Sequence, residues 1–129
     1  MSTCYSVSFK AKVKDRVAAT AKIKDFTATE NAHFHLDEFH DEGVDTDSFK
    51  GLVQVCLAGW RCTQYRTREE DGFTVFENDF NASYGWEVVL IDMFKALAPF
   101  LEDGSSIYIE PDDDYDEFII ENGEIVRMH

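Results

Sequence analysis

Between His33 and Glu42 the chain reads HFHLDEFHDE, which sets three of its four histidines beside four carboxylates. Imidazole and carboxylate together form a ligand set suited to zinc or another late transition ion. As a strand, the stretch would put His33, His35 and Asp37 on one face, neighbours about 6.7 Å apart. As a helix, it would align His33 and Asp37 with His40 or Asp41. A metal-dependent enzyme or metal sensor built on His33, His35 and Asp37 is therefore one reading. A solvated acidic face is the simpler one. His-x-His is a short motif, no HExxH occurs, and 26 acids must place some carboxylate near any histidine.

The tract PDDDYDEF raises calcium. Asp112, Asp114 and Asp116 match the first alternating ligands of an EF-hand loop, but Glu117 stands where that loop needs glycine and Gly123 where it needs glutamate. The EF-hand is excluded. The chain also has no GxSxG elbow, no phosphate-binding glycine loop and no Cys/His pair with a local signature. Cys56 falls on the apolar side of a helical pattern, where a thiol acts as a small hydrophobe. The balance leans against catalysis, and no cofactor is expected.

Charge carries the remaining signal. The chain has 26 acids against 12 bases, for a formal net charge of −14. Residues 1–24 hold six bases and one acid, whereas residues 25–129 hold six bases and 25 acids. Such a chain repels nucleic acid and anionic membrane and attracts basic proteins. Carboxylates on one strand face repeat about every 6.7 Å, close to two axial rises of a DNA strand. An acidic surface can therefore occupy a nucleic-acid channel. Candidate contacts are Asp112, Asp113, Asp114, Tyr115, Asp116 and Glu117, and likewise Asp37, Glu38, Asp41 and Glu42. Glu69, Glu70 and Asp71 join them on another turn, with Phe39, Tyr115 and Phe118 as apolar anchors.

The expected function is a small acidic, non-catalytic domain that binds a basic protein partner. Its concrete forms are an inhibitor, an immunity protein or a nucleic-acid mimic of a bacterial mobile element. A structural or regulatory module whose acidity has no specific target is the further alternative, since negative charge also keeps proteins soluble.

The elements that must position these residues are legible in part. At 129 residues, 44% of them hydrophobic, the chain suits one domain spanning 1–129, a monomer or small homo-oligomer. A core of this size needs no disulfide or metal. No signal-peptide pattern and no apolar run of about 18 residues occurs. The three cysteines form no CxxC pair; together these features predict a reduced, cytoplasmic protein.

Val7, Phe9, Ala11 and Val13 alternate with Ser8, Lys10, Lys12 and Lys14, which predicts a half-buried strand. Val17, Ala19, Ala21 and Ile23 continue the alternation after a turn at Lys14–Arg16, so a second strand is expected, although the Ala and Lys content also suits a helix. Ala32, Phe34 and Leu36 predict another strand, against a rival helix start at Thr27–Glu30. Helical spacing of Phe49, Leu52, Val53, Cys56 and Trp60 predicts a helix over about 46–60. A second helix over about 84–101 follows from Trp86, Leu90, Met93, Phe94 and Leu97, with Ser83 as N-cap. Turn residues at Glu70–Gly72 and at Asn122–Gly123 predict two hairpins. The fold class is α+β: two main helices packed on a largely antiparallel sheet that ends in a C-terminal β-hairpin.

Overall fold

A computed structural model describes residues 2–29, 34, 36–58, 65–83, 85–111 and 114–129. The first strand, β1, spans Ser2–Ala11 and is followed by α1 (Arg16–Thr29), α2 (Leu36–Asp41) and α3 (Phe49–Cys56). A hairpin of β2 (Arg66–Glu70) and β3 (Phe73–Ser83) leads into α4 (Trp86–Leu97) and a short 3-10 turn at Ala98–Phe100. The chain closes with β4 (Ser106–Glu110), β5 (Asp116–Glu121) and β6 (Glu124–Arg127).

The six strands form one sheet in the order β2-β3-β1-β4-β5-β6, with every neighbouring pair antiparallel. β3 lies between β1 and β2, which the first three helices connect; β1 lies between β3 and β4, which α4 connects. These are two interlocked split β-α-β units, extended by a C-terminal hairpin.

The period-two pattern of β1 decides which face is covered. Phe9 stands opposite Phe76 on one side and Ile107 on the other, and all three are buried. Phe9 stacks on Phe76 at 5.6 Å and meets Phe94 of α4 edge-on at 6.0 Å, while Phe49 of α3 reaches Phe76 at 6.2 Å. The helices therefore sit on this face. The opposite face carries Ser6, Glu77, Asp79, Tyr108 and Glu110, all exposed or half-buried. Buried Asn78, on the helix side, donates to the Leu57 carbonyl at 2.8 Å and so satisfies a group just past the end of α3.

Both hairpin turns form as their residues predict. Asp71 and Gly72, and Asn122 and Gly123, all take positive φ, as a type I′ turn requires. The Asp103 carboxylate further clamps the second turn, accepting from the backbone of Asn122 and Gly123 at 2.9 Å each.

The strand expected at 17–23 is a helix instead. The Asp15 side chain accepts from the Ala18 amide at 3.1 Å, capping the first turn of α1. Ala19, Ile23 and Thr27 are buried at a four-residue interval, whereas Val17 is 81% exposed and Ala21 is exposed too. The physical reason is tertiary. The segment packs against α3 and α4, where a helix turns Ala19, Ile23 and Thr27 inward together. At 84–101 the helix is shorter than its pattern: Ser83 ends β3, Gly85 at φ +93 precedes Trp86, and Pro99 turns the last residues into the 3-10 segment. The helix expected over 46–60 occupies Phe49–Cys56, capped by Ser48.

Tyr5 joins the sheet to α4. Its hydroxyl donates to Glu87 Oε2 at 2.6 Å and accepts from the Trp86 amide at 3.0 Å. Burial first, then the Glu87 carboxylate, pushes its pKa from 10.0 up to about 12. Because the folded state holds this proton more tightly, the stability it contributes is whole below pH 10.0 and is lost as pH rises through about 12. Tyr5→Phe should remove that alkaline loss and cost about 1–3 kcal/mol at neutral pH, since the Trp86 amide loses its acceptor. Urea unfolding of both proteins at pH 7 and 11 checks this; an unchanged alkaline loss in the variant would contradict it.

Candidate functional site

The stretch His33–Glu42 divides in two. His33 and His35 lie outside the described residues, whereas Asp37 and Glu38 form the first turn of α2. The strand expected at Asn31–Leu36 therefore does not run on through Asp37 to align the three proposed ligands: the backbone from Leu36 is helical. Carboxylates in a first helical turn are favoured by the N-terminal dipole, which explains the change of structure locally. Among the described residues, no group of three or more His, Cys, Asp or Glu is placed to hold a metal.

Two aromatics fasten this segment. Phe34 is buried against Phe26 and Trp86, each at 5.8 Å, and Phe39 is 5% exposed within the core. Phe39 is thus a core residue rather than the surface anchor expected of it. α2 ends at Gly43, whose φ of +93 allows its amide to reach the His40 carbonyl while the Val44 amide bonds to Phe39. This pair of bonds is the Schellman closure that glycine favours. With Phe39 inward, Asp37, Glu38, Asp41 and Glu42 are all exposed. No ion pair involves any of these four among the described residues. Nearby, Asp47 pairs with Lys24 at 2.7 Å, which lowers its pKa.

The C-terminal acidic tract behaves differently. Asp112 and Asp113 lie outside the described residues. Asp116 is paired with Arg127 at 2.5 Å, and Asp114 approaches the His129 ring at 3.4 Å. The Tyr115 backbone amide and then His129 hold the Asp114 carboxyl below its usual range. Tyr115 is half-buried, stacked on His129 at 3.9 Å and against Tyr108 at 5.1 Å. Phe118 is buried beneath the Arg127 guanidinium at 5.1 Å. Of this tract only Glu117 has no cation beside it among the described residues. The aromatics expected as partner anchors here are already engaged within the domain.

The β2–β3 ribbon is likewise interleaved. Arg66 lies 3.6 Å from Glu77 and 3.9 Å from Asp79, and Arg68 pairs with both Glu77 and Glu70. Glu69 accepts from the Thr74 hydroxyl at 2.9 Å. Glu69 and Glu70 are therefore tied into the ribbon. The structure does not join the two predicted acidic stretches: α2 belongs with the helices between β1 and β2, and the other stretch leads into β5. No hydrogen bond or ion pair links them among the described residues.

Beside α2 lies a groove of about 390 Å³ that the sequence did not reveal. Its lining includes Glu42 and Asp45, Lys50 and Gln54 of α3, Thr67 of β2 and Tyr65 just before it. These residues come from two separated segments, so no spacing rule could have found them. Cys56 is fully buried, and burial pushes its thiol pKa far up, away from nucleophilic chemistry. No described helix is long and apolar enough to cross a membrane. No family model, curated protein or solved structure matches the chain.

Proposed function

We propose that this chain is a non-catalytic acidic recognition domain that binds a basic protein, acting as an inhibitor or a mimic of a polyanion. One observation carries the reading. On α2 and the residue after it, Asp37, Glu38, Asp41 and Glu42 are exposed and have no cation beside them among the described residues, whereas Glu77, Glu70 and Asp116 are paired with arginines. Unpaired carboxylates at this density raise the local potential and favour encounter with a positive surface.

Direct binding of nucleic acid fits less well. The sheet face free of helices carries Tyr108, but Arg66 and Arg68 on that face are held by Glu77, Asp79 and Glu70, and Glu110 adds further negative charge.

The test is retention of basic proteins from the lysate of the source cell on immobilised protein at low salt, alongside an Asp37→Lys, Asp41→Lys variant. A specific partner should be retained by the parent alone. Its association rate should fall about tenfold or more as salt shortens the Debye length from about 30 Å to about 8 Å. If the variant retains the same proteins as the parent, the reading fails.

A further inference from the structure

We propose that the outer edge of β2, together with the groove beside it, receives an extended basic segment of the protein partner as a seventh strand. This deepens the basic-partner reading above and rests on it.

β2 is the first strand of the sheet; among the described residues no strand pairs with its outer side, and all five of its residues are exposed. Its backbone groups on that side form a template for another strand. Thr67 stands opposite buried Phe76, so it projects to the helix side, into the groove shared with α3. An edge strand flanked by a helix-walled groove is the geometry of strand addition. Main-chain bonds give affinity, and alternate side chains enter the groove for specificity.

Charge selects the occupant. Every second side chain of an added strand would enter a groove lined by Glu42, Asp45 and Tyr65, with one base, Lys50. Lysine or arginine meets both carboxylates and the aromatic face there. The unpaired acids of α2 extend the same polarity beyond the groove.

A second copy of this chain fits poorly. Self-pairing of β2 centred on Arg68 sets Arg66 against Glu70 twice, but on the helix side it brings Thr67 and Glu69, and no cation, to a groove lined by Glu42 and Asp45. The five residues of β2 set the length: the segment spans about 17 Å at about 3.4 Å per residue.

The probe is a blocked seven-residue peptide alternating valine with lysine, compared with its valine–glutamate counterpart and with the lysine peptide N-methylated at alternate residues. Amide exchange across Arg66–Glu70 and titration by NMR are the readouts. The lysine peptide should slow exchange of the outward β2 amides, and both control peptides should bind about tenfold more weakly or worse, the equivalent of one lost hydrogen bond. Glu42→Lys, an exposed change, should weaken the lysine peptide, and its unfolding midpoint confirms that the fold is intact.

Equal binding of the N-methylated peptide, or unslowed β2 amides at saturation, would overturn strand addition while leaving the basic-partner reading intact. Absence of lysine-peptide binding at about 1 mM would overturn it as well. Outward β2 amides already protected in the free protein, with a dimeric mass in sedimentation, would assign the edge to a second copy and also overturn the proposal. Loss of the cellular partner on α2 charge reversal is a separate outcome, belonging to the broader reading.

Discussion

Phe9→Ala will destabilise the domain by about 3–5 kcal/mol, the range for removing a fully buried phenylalanine. Phe9 is completely buried near the C-terminal end of β1, a strand with neighbours on both sides, and it packs between the ring of Phe76 and the edge of Phe94. The loss combines transfer of the ring to water with the cavity left between sheet and helix. A domain of ordinary stability holds only about 5–15 kcal/mol, so this single change removes a large share of it. Urea unfolding will show a lower midpoint at nearly constant slope. Phe9→Leu, which keeps much of the volume, should cost about 1.5 kcal/mol or less. A loss below about 1 kcal/mol in the alanine variant would mean that the ring does not join the two layers as described.

Gly51→Ala gives the second large effect, with a sign opposite to the one that helix propensity suggests. Alanine in the middle of a helix usually gains about 1 kcal/mol over glycine. Gly51, however, lies in the first turn of α3 against the backbone of the preceding turn, and a Cβ there would stand 1.8 Å from the Asp45 carbonyl oxygen. That oxygen is fixed, since the Ser48 amide and hydroxyl both donate to it, at 3.3 and 3.1 Å. The Ser48 hydroxyl in turn caps the Gly51 amide at 3.0 Å. Moving the carbonyl therefore breaks the cap as well. Overpacking of this kind costs about 1–3 kcal/mol, and loss of the cap adds about 1, so the net change is a loss of about 2 kcal/mol despite better propensity. Thermal unfolding of the two proteins checks this; a more stable alanine variant would show that the turn yields freely. The same turn forms one wall of the groove beside β2, so the variant should also weaken the lysine peptide.

Reading the sequence succeeded where one element carries its own signal. β1, α3, α4 and the two hairpins each show a period or a turn dipeptide within a dozen residues. α1 shows how that reasoning fails. Its apolar residues fit period two and period four at once, and Ala at 18, 19 and 21 gives little contrast between faces. Asp15 was the local clue, an N-cap residue directly before the helix. At the candidate site, composition revealed an excess of acid but not which acids stay unpaired. Asp116 and Arg127 are eleven residues apart and meet only because β5 folds back on β6. Phe39 and Phe118, read as surface anchors, are in the core because the elements carrying them turn those positions inward.

By itself, the order of residues determined the α+β class, the residues of both tight turns, the apolar stripes of α3 and α4 and the large negative charge. Each depends on contacts along a few residues of backbone, or on simple counting. Only the tertiary structure decided that 16–29 would pack as a helix against α3 and α4 rather than pair as a strand. It also decided that Arg66, Arg68 and Arg127 would pair with one set of carboxylates while those of α2 have no ion pair among the described residues, and that α3 and β2 would border a groove. Charge pairing and concavity depend on which distant segments meet, and sheet order fixes those meetings.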